Sequence, residues 1–506
     1  MAHLPIDQGQ VDRIRNLAKD IANHVQAFIT NHSSLSVERA VLRLMGVDGV
    51  TSDGVPIPNR VVEILREQGL LAEGVSKPFV RAMLKLSKGS QIADAQTTAE
   101  GICAGQVDFK SNSKAFPATN EKTVDGLVLD LAKKAIAKLD FTKERKQKKQ
   151  EKYSITSQPW KYLIVATGNI YEDRIQAIAG VQAGADIIAV IRTTAQSLLD
   201  YIPFGPTTEG FGGTYATQAN FKIMREALDK EMESSRRYLR LTNYSSGLCM
   251  AEIAVCAALE DLDMLLNDSM YGILFRDINM KRTFVDQYFS RLICSRAEII
   301  INTGEDNYLT TADAIEAAHT VVASQFINEA LAINSRMSPN LMGLGHAFEI
   351  NPKIENAFLY ELAHAQLIRQ LFPKAPLKYM PPTKHKSTDV FFSHAMDTLF
   401  NMASVTTQQG IHLAGILTEA NHTPLMMDRY ISMSSVNYVF HIAKSLGDEI
   451  EFKKDGFVAQ RAAKVLDEVE KFLENVKALG LMQSIAKGYF ADIKRGVDGG
   501  KGLDGV

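Results

Sequence analysis

The chain has 506 residues, 23% charged and 46% apolar, with a formal net charge of -2. This is the balance of a soluble globular protein. A nearly neutral chain gives no reason to expect nucleic acid or a membrane surface as partner, and no uncharged apolar run approaches the roughly 20 residues of a membrane span.

Residues 1–7 lack the basic-then-apolar pattern of a secretory signal. The four cysteines, Cys103, Cys249, Cys256 and Cys294, are far apart and form no CxxC pair. They are expected to be reduced core residues of a cytoplasmic protein. Residues 1–155 read as helices and connecting loops. Ile14, Leu17, Ile21, Val25 and Phe28 recur at helical spacing. Residues 36–44 and 58–68 repeat the pattern, with turn chemistry at 50–58 between them. An amphipathic helix at 125–139 runs into the basic stretch 143–152. This stretch reads as a solvated linker or helix face, since nucleic-acid binding would want a wider basic surface.

From Pro159 short apolar runs alternate with amphipathic helices. The runs are 162–167, 187–191, 238–242, 264–266, 299–302, 341–347, 377–380 and 411–417. Helical segments follow at 172–183, 215–232, 251–259, 283–295, 312–331, 353–371, 390–404 and 426–446. Eight strand–helix units predict an α/β fold, a (β/α)8 TIM barrel, against the competing doubly wound open sheet. Residues 451–487 are helical again, and the glycine-rich end from Gly499 reads as a frayed tail. The predicted organisation is a helical N-terminal accessory region (1–155), a barrel catalytic domain (156–446) and a helical C-terminal extension (447–506). Arms of that size suggest burial against the outside of the barrel or against a partner chain.

In a parallel barrel the strand ends converge on one mouth, where the chemistry sits. Arg192 and Ser197 follow the second run, Ser246 the third, Tyr271 the fourth and Asp306 the fifth. Lys378 lies in the seventh, and Glu419 closes the eighth. Arginine offers a rigid fork of donors suited to phosphate. With small hydroxyls, an aromatic platform, an acid–lysine pair and a carboxylate, the set would suit a phosphorylated aromatic cofactor such as pyridoxal phosphate. A lysine at a barrel strand end is a natural Schiff-base candidate. Alternatively, Asp306 holds Lys378 charged as a recognition cation, and sequence chemistry leaves both readings open. The stretch 204–214 is glycine-rich but matches neither the P-loop nor the Rossmann order. It reads as a shaped loop over the mouth. The eleven histidines form no HExxH or other tight cluster, so no metal site of the chain's own is expected.

The block Arg192-Thr-Thr-Ala-Gln-Ser-Leu-Leu-Asp-Tyr-Ile-Pro-Phe-Gly-Pro-Thr-Thr-Glu-Gly-Phe-Gly-Gly-Thr-Tyr-Ala-Thr-Gln-Ala-Asn220 resembles the large (alpha) subunit family of lysine 5,6-aminomutase. The likeness covers most of the chain and is strongest at 160–445. The resemblance implies a TIM barrel with helical additions, dependent on adenosylcobalamin and pyridoxal phosphate. It implies transfer of the terminal amino group of D-lysine or L-β-lysine from C6 to C5 by a radical 1,2-shift, in lysine fermentation. It also implies a smaller beta subunit with a Rossmann-like cobalamin-binding domain, which supplies the cobalt-ligating histidine and the Schiff-base lysine. This chain lacks the DxHxxG signature, since no histidine has an aspartate two positions before it. By resemblance, Arg192 and Ser197 match phosphate contacts, Ser246 faces the pyridine nitrogen and Tyr271 lies against the cofactor ring. Asp306 and Lys378 match a pair near the substrate's far end, and Glu419 a further active-site carboxylate. The alternative is a self-sufficient pyridoxal-phosphate barrel with Lys378 as its Schiff-base lysine.

Overall fold

The computed structural model describes residues 3–88, 91–107, 109, 121–190, 193–267, 269–303, 315 and 317–506. The apolar runs of the middle of the chain become strands because they are covered on both faces. Ile187–Val190, for example, is buried along its whole length. The parallel strand segments are β1 (Trp160–Val165), β2 (Ile187–Val190), β3 (Arg240–Tyr244), β4 (Met264–Leu266), β5 (Ile300–Asn302), β6 (Met342–Gly343), β7 (His346–Ala347), β8 (Lys378–Met380) and β9 (Ile411–Leu413). They form one sheet in the order β6-β5-β4-β3-β2-β1-β9-β8-β7.

The two ends of that order, β6 and β7, are separated in sequence only by Leu344 and Gly345. They are two halves of one strand. The first half pairs with β5 and the second with β8. The sheet therefore closes on itself with eight strands, one for each apolar run, and the open-sheet alternative falls.

Register and contacts identify the interior. Parallel partners share a face, as in Tyr162–Ile187–Arg240 and Thr242–Met264–Ile300. The Arg240 guanidinium lies 3.6 Å from the Trp160 ring centre, and Lys378 Nζ lies 6.0 Å from that of Tyr162. Each pair spans one intervening strand, so both contacts lie inside the barrel. Residues of the opposite parity face the helices. Tyr379 stacks on His346 and donates from its hydroxyl to Glu361 Oε1 at 2.6 Å.

The outer helices include Ile170–Gln182, Gln218–Ser235, Met250–Leu259, Met280–Ala297, Ala318–Asn334, Ala357–Leu371, Val390–Thr406 and Met426–Ile442. A further helix, Ser269–Arg276, was not expected. Two turns are too short to establish a 3.6-residue period. No helix among the described residues is long and apolar enough to cross a membrane.

Of the two readings of the basic stretch, linker or helix face, the structure takes the second, since it forms the end of one long helix, Glu121–Lys152. Lys146 is buried there and donates to the carbonyls of Ala297 and Glu298, each at 2.8 Å. It satisfies orphan acceptors at the C-terminus of Met280–Ala297. The structure does correct the expectation of a frayed glycine-rich tail. Its backbone pairs with residues 277–279 (Lys501 N to Asp277 O, 2.7 Å; Asn279 N to Lys501 O, 2.9 Å), and Asn279 Nδ2 donates to Gly499 O at 2.6 Å.

Helix Gln8–Thr30 packs against Ala318–Asn334 and against Phe457–Leu479, so the two ends of the chain meet on the barrel's outer wall.

Candidate active site

Beyond β2 the chain makes a single helical turn, Thr194–Leu198, which places Ser197 in a buried position. Beyond β3 the amides of Ser245 and Ser246 both donate to Leu266 O, at 2.8 and 3.3 Å, tying the loop to the end of β4. Gly247 follows with φ +126°. A Cβ there would lie 2.6 Å from the Ser197 Cα and carbonyl oxygen, so only glycine lets these two loops touch. Leu248 N then donates to Ser197 O at 3.0 Å. Tyr271 comes from the unexpected helix Ser269–Arg276, which packs against the Thr194–Leu198 turn. Its ring centre lies 5.0 Å from the Arg276 guanidinium, and its hydroxyl accepts from Arg276 Nη2 at 2.5 Å. The structure thus gathers the elements carrying Ser197, Ser246 and Tyr271 at the ends of β2, β3 and β4. Arg192 and Asp306 lie outside the described residues.

Lys378 opens β8 instead of ending it, which corrects the strand-end position expected for it. Pro381 and Pro382 have no amide hydrogen and stop the ladder directly after Met380. Alternation points Lys378 inward, fully buried. β8 is the seventh of the eight strands, so Lys378 stands on the wall opposite the third strand and Ser246.

Glu419 lies at the rim beyond β9, paired with Lys386 Nζ at 3.0 Å. The same ammonium reaches Asp397 Oδ1 at 2.9 Å and the carbonyl of Ile416 at 3.0 Å. Burial pushes the Asp397 carboxyl up to about 7, against the pull of Lys386. Asp397 lies in mid-helix and has no sequence signal. Lys386 carries one only by following the seventh run.

Sequence reasoning also missed a set of amides. Asn267 and Asn302 are fully buried, and among the described residues neither side-chain polar atom of either has a hydrogen-bond partner. Asn243 Nδ2 and Thr242 Oγ1 are likewise buried without partners. Asn302 and Thr242 share the inward parity of Ile300 and Met264. Asn243 has the opposite parity and faces the helices. Buried polar groups are normally paired, so the inward Asn302 and Thr242 mark a place where a polar ligand or water belongs. The signal was present in sequence: Asn267 and Asn302 each terminate an apolar run.

A buried ionic network ties this region to the N-terminal helices. Arg39, from helix Leu35–Met45, donates from Nε to Glu252 Oε2 at 2.8 Å, and its Nη2 meets Asp200. Arg43 Nε reaches Glu252 Oε1 at 3.1 Å, and Arg282 Nη2 reaches Asp200 Oδ1 at 3.1 Å. Asp200 lies three residues beyond Ser197, and Glu252 lies six beyond Ser246. Burial opposes ionisation of Asp200, but Arg39 and Arg282 overcome it and hold its carboxyl below the usual range.

A closed (β/α)8 barrel whose strand ends collect buried hydroxyls, an unpaired amide and an aromatic ring, with an inward lysine on the opposite wall, defines a barrel enzyme built to hold a polar organic ligand. The family model described as the D-lysine 5,6-aminomutase TIM-barrel domain of alpha subunit matches residues 4–506. The lysine 5,6-aminomutase alpha subunit of Acetoanaerobium sticklandii is 51% identical over 503 residues, covering 99% of this chain and 95% of that one. That of Fusobacterium nucleatum is 49% identical over 507 residues, covering 100% and 96%. D-ornithine 4,5-aminomutase subunit beta of A. sticklandii is 24% identical over 330 residues, 65% of this chain and 44% of that one. The chain belongs to the lysine 5,6-aminomutase alpha-subunit family and is an isomerase.

Proposed function

We propose that this chain is the catalytic large subunit of an aminomutase that uses adenosylcobalamin and pyridoxal phosphate. It moves the terminal amino group of D-lysine or L-β-lysine from C6 to C5 by a radical 1,2-shift. The observation that carries the reading is the meeting of the Ser197, Ser246 and Tyr271 elements at the ends of β2–β4, opposite Lys378 on β8. The described residues fit a phosphorylated aromatic cofactor: two buried hydroxyls and one aromatic ring lie on neighbouring loops, with the inward Asn302 amide at the end of β5.

Pyridoxal phosphate would supply a π system for the migrating nitrogen, and adenosylcobalamin the radical that removes and returns a hydrogen. In this reading Ser197, with Arg192, holds the phosphate. Ser246 offers the pyridine nitrogen a neutral hydroxyl, and Tyr271 supports the ring. A neutral partner suits radical chemistry because a carboxylate there would keep the ring nitrogen protonated and favour carbanions. Lys378, with Asp306, receives the charged α-end of the substrate on the far wall. Glu419, fixed by Lys386, adds a carboxylate at the rim. The buried barrel interior excludes water from the reacting carbons.

A partner subunit with a Rossmann-like cobalamin-binding domain completes the assembly and brings the cobalt-ligating histidine and the Schiff-base lysine. The relatives' designation as alpha subunits supports a partner. So does the rim, where Phe391, Leu425, Met427 and Phe211 are exposed at the strand-to-helix connections that face the mouth. The rival reading makes Lys378 the Schiff-base residue of a self-sufficient enzyme. The deciding experiment compares the purified chain with the chain copurified with a cobalamin-binding subunit, both given both cofactors and each lysine isomer. Activity is expected only in the complex, and turnover by the chain alone refutes the reading.

A further inference from the structure

On the face opposite the mouth, a cavity of about 640 Å³ lies among the segment leading into β1, the end of helix Ala357–Leu371 and helix Met426–Ile442. Its lining carries three cations, Lys161, Arg369 and Lys444, together with His441, against one carboxylate, Asp186. Asp186 is already committed: Oδ1 accepts from Arg237 Nη1 and Oδ2 from the Lys161 amide, each at 3.0 Å. Among the described residues no carboxylate pairs with Lys161, Arg369 or Lys444. Lys161 Nζ donates to Asn437 Oδ1 at 2.8 Å, and the carboxylate that acts on its charge, Asp186, is shared with Arg237. Arg369 is 6% exposed. Its Nη2 donates to the carbonyls of Phe372 and Ala375, while Nε and Nη1 have no protein acceptor among the described residues. A guanidinium buried to this extent is normally paired, because desolvating an unpaired charge costs several kcal/mol. This buried arginine and the half-buried Lys161, set on one cavity, point to an anion.

We propose that this cavity binds a phosphate-class oxyanion, held by the free edge of the Arg369 guanidinium and by Lys161, with Lys444 at its rim. Planar guanidinium donors suit tetrahedral oxyanions, and an ammonium adds a point charge. The bound anion would also brace the route to the mouth. The carbonyls that Arg369 holds lie in the turn that enters β8, and Ala375 is three residues before Lys378.

The test is calorimetric titration of the full chain with inorganic phosphate, against chloride at matched ionic strength. Saturable phosphate binding is expected, weakened at least tenfold in Lys161→Met and in Arg369→Gln. Arg369 also organises a turn, so the lysine variant keeps the test valid if the arginine variant fails to fold. Ser197→Ala, at the mouth where the cofactor phosphate is proposed to sit, separates the two sites: phosphate bound in the cavity should be held as in the wild type. The proposal is overturned by binding no better than chloride, by wild-type affinity in Lys161→Met, or by loss of binding in Ser197→Ala.

Discussion

His412 is fully buried, stacked on Phe400 with ring centres 4.4 Å apart, and neither ring nitrogen has a hydrogen-bond partner. Burial lowers it to about 3, and burial likewise lowers His346 to about 4 despite its contact with Gln409. Both are neutral in the native state and protonate more readily unfolded, so the unfolded chain takes up more protons below the ordinary histidine value of about 6.5. Their contribution to stability is complete above that pH and is lost as pH falls toward the folded values. Each should withdraw roughly 2 kcal/mol between pH 6.5 and 5. Glu361 and Asp397, raised to about 8 and about 7 by burial, slope the other way. The clean measurement is therefore a difference: urea unfolding of wild type and His412→Phe at pH 7 and pH 5. The variant should lose less stability on acidification, and parallel losses would show that His412 does not titrate as described. At Lys378 the proposed role predicts that Lys378→Gln weakens substrate binding while the resting cofactor complex still forms in the assembled enzyme. Loss of the resting cofactor absorbance in that variant would give the Schiff base to Lys378.

Between elements, the decisive contacts join segments far apart in sequence. Glu252 is fully buried and is shared by Arg39 and Arg43 from helix Leu35–Met45. Arg39→Met leaves this carboxylate short of a partner and frees Asp200 from one of its two arginines. A loss of about 3–5 kcal/mol in unfolding free energy is expected, as for other broken buried pairs. Because Asp200 follows the Ser197 turn, Arg39→Met should also weaken pyridoxal phosphate binding in the assembled enzyme. Arg43→Met, which leaves the Arg39–Asp200 contact intact, should affect cofactor affinity much less. Equal effects of the two variants would reduce the network to general stability. Gly247→Ala tests the loop contact itself. The added Cβ meets the Ser197 backbone at 2.6 Å in a left-handed conformation that L side chains resist. Cofactor affinity should fall at least tenfold, read by titration.

At the scale of the molecule, the barrel is closed and its ends are tied down from outside. Helix Gln8–Thr30 lies between outer helix Ala318–Asn334 and the C-terminal helix Phe457–Leu479, whose buried face includes Val458, Ala462, Val465, Val469, Leu473 and Val476. Deleting residues 447–506 would uncover that apolar seam and also remove the tail that pairs with residues 277–279. The truncated chain should aggregate or unfold at lower urea concentration than the full chain, as seen by gel filtration and denaturation. A monodisperse truncation of unchanged stability would make the C-terminal segment dispensable.

Much of this architecture was written locally. The eight apolar runs are short, β-rich and separated by helical periods, and each became a strand because a parallel sheet covered on both faces demands that pattern. Ser197, Ser246 and Tyr271 could be placed near the mouth because each follows a run, and the alternation of the runs already implied a barrel. Closure, however, depends on Met342–Ala347 pairing to both sides, a tertiary choice that no single segment reveals. The inward direction of Lys378 required the parity of β8 and the stop at Pro381. The docking of Lys146 and of the glycine-rich tail required partners in distant helices, so their composition alone read as solvated. Asp397, Arg39 and Glu252 lie inside helices whose pattern gives no hint of chemistry. Local periodicity reports which face of an element is covered, whereas the partner that covers it, and the charge it must meet, are settled only when the elements pack.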